Sequence, residues 1–453
     1  MFFEIYSHSD HMTDILLINT PIFRANRDPE SGISVPPIGM GYIYTQLTLS
    51  GYECQFIDAV VDGLLPDKIL RKINESDAQY IGLNVFSSNL GIVRSLVENV
   101  ASPKKFLLGG AAARTLISEI ESWKPNGNVT VVAGDAELVL PAIIKDPTLA
   151  EKRSSTLNIV NVTIGSPFYP INVDLPLNRS IFKNEPVRRP DLGVTESHII
   201  ASRGCLYNCA FCTAARSLNP RIEPRYRSFD SLAEEIAAIR KLHPETNCIR
   251  VLDDLFLRDQ ASIELAARLF PENQLYWRSM AHVNTFRDLP SSQLEAIKKS
   301  GCHELFMGIE SGNDDTLRHV RKPFTADTAY KTICRILDAQ ISVKCYFILG
   351  FPGEIESAAQ DTVTFASRLR EYADKTGVQL RISPFRFRPY HGTALYDELV
   401  KEGRTITEIQ NRIDISDTCI SNPYDCVAGV YAEYDEDTLN KYMRGMEKLN
   451  DNA

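Results

Sequence analysis

Three of the ten cysteines, Cys205, Cys209 and Cys212, fall within eight positions in the segment RGCLYNCAFC, while Cys54, Cys248, Cys302, Cys334, Cys345, Cys419 and Cys426 are scattered. In a reducing compartment such spacing points to a metal site and not to a disulfide framework. Four thiolates saturate a [4Fe–4S] cluster, whereas three leave one iron open to a further ligand. Zinc competes for the same residues, but a structural zinc site is closed by four ligands. The nearest histidine, His198, lies upstream in a strand-like run and supplies no neighbouring fourth ligand. An open cluster, a zinc site and inert thiols are the three readings of the triplet.

Other residues that could do chemistry sit in strand-like runs. In WRSMAHVN, Arg278 and His282 share strand parity, so a regular strand sends both side chains to one face. Both are donors suited to an anion; a hydrogen-bonded core histidine and a solvated arginine are the competing roles. Farther on, Arg386 and Arg388 alternate with Phe385 and Phe387, which makes a basic face beside an aromatic one. With Tyr390 and His391 these arginines either line a substrate mouth, where Tyr390 can donate a proton or hydrogen atom, or face solvent.

The elements that must position these groups form two series. Within the first 145 residues, apolar runs at 15–19, 55–57, 80–86, 105–108 and 129–132 are separated by helix-sized intervals. That rhythm predicts an α/β domain, a Rossmann-like doubly wound parallel sheet, with ligands at the carboxyl ends of its strands. The loops so singled out are 19–37, 87–90, 109–112 and 134–137. Residues 146–195, rich in Asn, Pro, Ser and Arg, read as a linker able to contribute an edge hairpin. A second series of strands at 198–201, 248–252, 276–283, 304–309, 343–349 and 378–387 alternates with helical stretches. Six such units over 196–397 predict a partial (β/α)6 barrel with chemistry at the carboxyl ends of its strands. Residues 398–453 are polar, end in a helix near 436–449, and are expected to cap or close the barrel.

Composition narrows the class. The chain has 453 residues, 44% of them hydrophobic, and a formal charge of −9 with no basic tract. A nucleic-acid partner would have to bind against that average field and is not expected. No apolar run approaches the roughly 20 residues of a membrane span, and the amino terminus lacks the pattern of a signal peptide. A cytoplasmic protein with no membrane partner is the expectation.

CxxxCxxC with Phe211 before the last cysteine closely resembles the radical S-adenosylmethionine (SAM) superfamily. RYRSFDSLAEEI, VLDDLF, FMGIESGND, YFILGFPGE and RFRPYHGTALY resemble, in order, the landmarks of the branch with an N-terminal cobalamin-binding (B12-binding) domain. The resemblance implies that Cys205, Cys209 and Cys212 ligate a [4Fe–4S] cluster whose unique iron is chelated by the amino and carboxylate groups of SAM. It further implies that Phe211 and Gly350 border the adenine, that Asp253 and Asp254 contact the SAM amino group, and that Glu310 and Ser311 make ribose or amino-acid contacts. Each acidic residue has a plainer alternative as a helix cap. Where the branch usually carries an arginine on the third strand this chain has His282, so His282 or Arg278 would serve the SAM carboxylate, or His282 would touch substrate. Carboxylates beside an ammonium and donors beside a carboxylate are what such a cofactor requires.

The first domain resembles the cobalamin-binding fold through Ser88-Asn89-Leu90, similar to the SxL element, and through Gly109-Gly110, where small residues let a flat corrin approach backbone. Residues 19–41 contain no histidine to serve as a lower cobalt ligand. Cobalamin bound without that ligand and a domain kept only for packing both fit. The resemblance implies hydrogen abstraction from a small natural-product or sugar-like substrate by a 5′-deoxyadenosyl radical, with cobalamin-dependent methylation of an unactivated carbon as the leading reaction. A cobalamin-independent dehydratase, epimerase or rearrangement enzyme is the alternative. An external electron donor such as flavodoxin or ferredoxin is implied either way.

Overall fold

The computed structural model describes residues 13–21, 35–110, 112–169, 173–219, 223–404 and 429–450. These fall into two compact units, one built from residues up to 169 with 176–183, the other from 173–175, 184–404 and 429–450. Residues 22–34 of the 19–37 loop, position 111 and residues 405–428 of the C-terminal segment lie outside the described residues.

In the first unit the elements run β1 (Ile15–Asn19), α1 (Ile38–Leu49), β2 (Cys54–Asp58), α2 (Pro66–Glu75), β3 (Tyr80–Asn84), α3 (Leu90–Asn99), β4 (Lys104–Gly109), α4 (Ile117–Glu121), β5 (Gly127–Ala133) and α5 (Val139–Lys145). The sheet order is β2-β1-β3-β4-β5, with parallel pairing throughout. Strand β1 is buried along its whole length because helices cover both faces, which is why its sequence is an unbroken apolar run. The order reverses between β1 and β3, and an open α/β sheet has its ligand crevice at the carboxyl ends of such a pair. Residues 146–195 carry more structure than a linker. Strands β6 (Glu151–Lys152) and β7 (Leu157–Asn161) pair antiparallel and extend this sheet beyond β5. A further strand, β8 (Val187–Arg189), pairs antiparallel at the edge of the second sheet with β9 (Val194–Ile199).

The second unit continues with β10 (Ser202–Arg203), β11 (Arg225–Tyr226), α6 (Phe229–Leu242), β12 (Cys248–Val251), α7 (Gln260–Glu272), β13 (Tyr276–Ala281), α8 (Val283–Phe286) and α9 (Ser291–Lys299). It closes with β14 (Cys302–Glu310), α10 (Asp314–His319), α11 (Ala326–Asp338), β15 (Ser342–Leu349), α12 (Glu356–Thr376), β16 (Leu380–Arg386), α13 (Ala394–Lys401) and α14 (Glu436–Glu447). Strands β9, β12, β13, β14, β15 and β16 form six parallel neighbours in one curled sheet, a half-barrel.

Alternation along these strands separates two faces. Leu305, Met307, Ile309, Val343, Cys345, Phe347 and Leu349 are buried in the core with the helices. Their neighbours Glu304, Phe306, Lys344, Tyr346, Arg381, Ser383 and Phe385 face the concave side, the lumen of the half-barrel. Helix α14 packs on the outside of β16 beside α12 through Leu439, Tyr442 and Met446, so it completes the helical layer instead of capping the barrel bottom. The strand expected over 276–283 is shorter than its run: β13 stops at Ala281, and His282 becomes the N-cap of α8, its Nδ1 accepting from the Asn284 N–H at 3.2 Å.

Candidate active site

The cysteine loop leaves β9 at the carboxyl edge of the half-barrel and is pinned at its centre. The Ala210 N–H donates to the Val320 carbonyl at 3.0 Å, and the Leu395 N–H donates to the Ala210 carbonyl at 3.0 Å. Cys205, Cys209 and Cys212 are free thiols, all half-buried. Among the described residues no three His, Cys, Asp or Glu side chains converge as ligands of a single metal ion. Three thiols on one loop suit a multi-iron cluster with one iron left open to a further ligand. Burial pushes the Cys212 thiol up to about 12 and also raises Cys205 and Cys209. Lys322 acts in the opposite sense on Cys205 and Cys209, favouring the thiolates that ligation needs.

Lys322 is a site residue that the linear motifs do not reveal. Its Nζ lies 2.9 Å from Glu310 Oε1 and donates to the Gly308 carbonyl at 3.0 Å, and it stands 5.8 Å from the Phe211 ring centroid. Gly308 makes room for this pair: a Cβ there would come 2.4 Å from Glu310 Oε1 and 3.2 Å from Lys322 Nζ. Glu310 adopts a left-handed backbone, φ 70°, which redirects the chain at the end of β14. The nearby Ser311 hydroxyl is shared with Thr362 at 2.9 Å and accepts from the Asn313 N–H at 3.1 Å, a loop-building role.

The apolar wall of the cysteine loop is Phe211, 5.7 Å from Phe351 between ring centroids. Phe351 follows Gly350, whose N–H donates to Glu354 Oε2 at 2.6 Å; Tyr434 donates to the same oxygen at 2.6 Å. The loop after β15 is thereby brought to Phe211, as expected for groups bordering one ligand.

The two aspartates differ. Asp253 accepts from the Ala201 N–H at 2.7 Å and from the Ser202 hydroxyl, so it fixes the chain entering the cysteine loop. Burial pushes its carboxyl up to about 6. Asp254 is exposed, accepts from the backbone of Gly204, and contributes negative potential at Cys205 and Cys212. Of the pair, Asp254 is the exposed one.

Two buried donors near the loop lack a hydrogen-bond partner, His282 Nε2 and Arg258 Nη2. The His282 ring stacks on Tyr207 of the cysteine loop, 3.7 Å between centroids and 17° between planes. Arg258 donates to the Gly204 carbonyl at 3.1 Å and lies 3.9 Å over the Tyr226 ring. Unmatched donors beside an exposed carboxylate fit the carboxylate and amino group of SAM. Burial, then Lys322, pushes the His282 imidazole down to about 2, so it is neutral at physiological pH.

This depression has a stability consequence. Below pH about 6.5 the unfolded chain protonates His282 while the folded chain refuses the proton, so stability is lost as pH falls, by about 1.4 kcal/mol per unit from this group. His282→Gln is expected to flatten the urea-unfolding free energy between pH 6.5 and 5. Equal acid slopes in the two proteins would show that His282 is not so held.

Arg278 and Arg386 need correcting. The Arg278 guanidinium pairs with Glu196 and with Glu304 Oε2, at 2.7 Å for the latter, deep in the barrel wall. It is taken up by those carboxylates and not presented to SAM. Arg386 pairs with Glu436 at 3.0 Å and with Asn440, which anchors α14 on the outer face. Its neighbour Phe385, in register with Ile348, is the one facing the lumen, so the basic and aromatic faces are placed the other way round. Tyr390 is half-buried, and its carbonyl accepts from Thr393 at 2.8 Å; burial pushes His391 down to about 4.

In the first unit, the carboxyl ends of β1 and β3 are tied by polar side chains. Asn84 donates to Asn19 Oδ1 at 2.7 Å, Asn19 to Asp58 at 2.8 Å, and Asn89 accepts from the Phe86 N–H at 2.7 Å. Ser88 sits half-buried on this loop, whereas Leu90 is a core residue at the start of α3. Gly110 has φ 115° and a Cβ there would meet the Val85 carbonyl at 2.8 Å; a Cβ on Gly109 would project into open space. Bare backbone at the edge of the switch-point crevice fits a flat corrin.

An open three-thiol loop at the carboxyl edge of a half-barrel, with a parallel α/β unit in the same chain, is the arrangement expected of a radical SAM protein. Residues 199–366 match the family model of the radical SAM superfamily, and residues 30–144 match that of the B12 binding domain. The chain thus carries a B12-binding domain ahead of a radical SAM domain. With these domains go a [4Fe–4S] cluster, SAM and cobalamin, and the chain is an enzyme that requires a reductant.

It is 25% identical to an uncharacterized methyltransferase, PH0819, of Pyrococcus horikoshii over 394 residues, 83% of this chain and 81% of that one. It is 21% identical to the cytidylyl-2-hydroxyethylphosphonate methyltransferase of Streptomyces wedmorensis over 429 residues, 81% of this chain and 78% of that one. Among solved structures, the cobalamin-dependent SAM radical enzyme OxsB superposes with a TM-score of 0.62 at 16% identity, covering 96% of this chain and 66% of OxsB, just under two thirds of its length. The radical SAM methyltransferase TsrM of Kitasatospora setae gives 0.60 at 14% identity, covering 86% and 76%. Among the described residues no helix is long and apolar enough to cross a membrane.

Proposed function

We propose that this protein is a cobalamin-dependent radical SAM methyltransferase that methylates an unactivated carbon of a small molecule, with flavodoxin or ferredoxin as reductant. The observation that carries the reading is the coexistence of the open cysteine loop and the glycine-edged crevice of a B12-binding domain in one chain. The names of the methyltransferase relatives support the same direction. When bound, the cluster would supply the electron for reductive cleavage of SAM and cobalamin would supply the methyl group.

The chain's own part is binding and exclusion of water. Cys205, Cys209 and Cys212 would hold the cluster. Asp254 would receive the SAM amino group, while His282 Nε2 and Arg258 Nη2 donate to its carboxylate. Phe211 and the Gly350 loop would flank the adenine, and the Lys322–Glu310 pair closes the site from below with both charges satisfied. Ser88, Gly109 and Gly110 would border the corrin.

The test is an anaerobic assay of cobalamin-loaded protein with SAM, reductant and candidate metabolites. 5′-Deoxyadenosine, S-adenosylhomocysteine and a substrate gain of one methyl are expected together. Loss of water or an unchanged substrate mass, with 5′-deoxyadenosine formed and no S-adenosylhomocysteine, would replace methylation by a dehydratase or isomerase reaction.

A further inference from the structure

Among the described residues, the lumen of the half-barrel holds two basic side chains without a carboxylate partner, Arg250 and Lys344. Arg250 on β12 is in register with Arg278, which is in register with Glu304; one layer nearer the carboxyl edge, Lys344 is in register with Phe306 and Arg381. Both carboxylates at this depth are committed. Glu304 accepts from Arg381 Nε at 2.6 Å and from Arg278 Nε at 3.0 Å, and each guanidinium makes a second contact with it. Glu196 pairs with Arg278, and its other oxygen lies 3.6 Å from Arg189 and 3.7 Å from His198. Asp191 takes Arg189 at 2.6 Å and stands 3.6 Å from Arg381.

Arg250 and Lys344 are left over. Arg250 lies 5.4 Å from the Phe306 ring centroid and Lys344 lies 5.1 Å from that of Tyr346; among the described residues neither has a hydrogen bond or ion pair. Among the described residues, Arg189, Arg278 and Arg381 are thus matched by Glu196, Glu304 and Asp191, with Glu185 beside His198, whereas Arg250 and Lys344 have no carboxylate partner. A half-buried cation with no acceptor is costly unless a ligand supplies one. Two basic side chains without carboxylate partners, at different depths of one chamber, match an anion with several oxygens.

We propose that Arg250 and Lys344 form the recognition site for a phosphate- or phosphonate-bearing substrate within the half-barrel. The assignment deepens the small-molecule reading above by naming the substrate class, and it rests on that reading only in treating the lumen as the substrate chamber. Burial, then Arg381, pushes the Lys344 ammonium down to about 7, with Arg250 and Arg278 acting in the same direction and Glu304 against them. An anion seated there would restore its charge.

The test is calorimetric titration of the cluster-reconstituted protein, without SAM turnover, using methylphosphonate, inorganic phosphate and acetate. Methylphosphonate and phosphate are expected to bind, with acetate about tenfold weaker. Arg250→Gln and Lys344→Gln are each expected to weaken phosphonate binding about ten- to hundredfold, as loss of a charge-assisted hydrogen bond does, while Lys344→Arg retains it. Circular dichroism and cluster absorbance verify each variant; if Arg250→Gln does not fold, the two Lys344 variants carry the comparison. The proposal is overturned if no phosphorus oxyanion binds, if acetate binds equally well, or if binding is indifferent to both glutamine substitutions. Binding is read apart from the reaction, so failure of methyl transfer would leave this result standing, and the converse.

Discussion

Cys209→Ala protein, reconstituted anaerobically with iron and sulfide, is expected to lose the visible absorbance and electron paramagnetic signal of a [4Fe–4S] cluster. Formation of 5′-deoxyadenosine should fall by more than about a hundredfold, the upper end of what removing only an outer partner of a metal ligand costs. The loop is held by the backbone bonds of Ala210, which the substitution leaves alone, so the protein should keep its fold. Iron content, electron paramagnetic resonance and product analysis check the result. A wild-type protein that takes up zinc and no iron would sink the cluster reading outright, and so would a Cys209→Ala variant that still cleaves SAM.

The second large effect is on stability. Arg278→Met removes the guanidinium lying between Glu196 and Glu304, all three buried. Arg381 still holds Glu304, but the Glu196 oxygen that faced Arg278 is left buried without that partner. Breaking a buried pair on one side costs about 3–5 kcal/mol. Urea unfolding should show that loss, while SAM affinity in the surviving folded protein stays within about twofold of wild type, since Arg278 is committed to the wall. A stable variant with weakened SAM binding would return Arg278 to the cofactor.

The cysteine triplet and the alternation of strands and helices were legible in the sequence because both are local. A three-thiol spacing needs no fold to be recognised, and apolar runs such as Ile15–Asn19 follow from burial on two faces. An edge hairpin inside 146–195 was legible in outline, as β6 and β7, but the strand bounds were not, since two- and three-residue strands such as Val187–Arg189 acquire pairing from a neighbour rather than from their own pattern. Arg386 was misplaced for a related reason. Parity says that two arginines share a face, but only the register of β16 with β15 says which face looks inward. Lys322 and Arg258 escaped notice because each reaches the cysteine loop from a distant part of the chain. His282 carried a usable signal, its position at a strand end, yet its unmatched nitrogen depends on the stack with Tyr207 and the Asn284 amide.

Gly308 bears on any attempt to retrain the enzyme for new molecules. The tight seat it makes for Lys322 and Glu310 means that any larger residue there must displace Glu310 Oε1, so a saturation library that includes this position disturbs the ion pair beside the cysteine loop. Two residues farther along the neighbouring strand, Ile348 and its partner Phe385 line the same chamber with partly open side chains and no ion pair to protect. Evolvability in this barrel is therefore uneven at the scale of a single rung, with a rigid strand beside two that tolerate change.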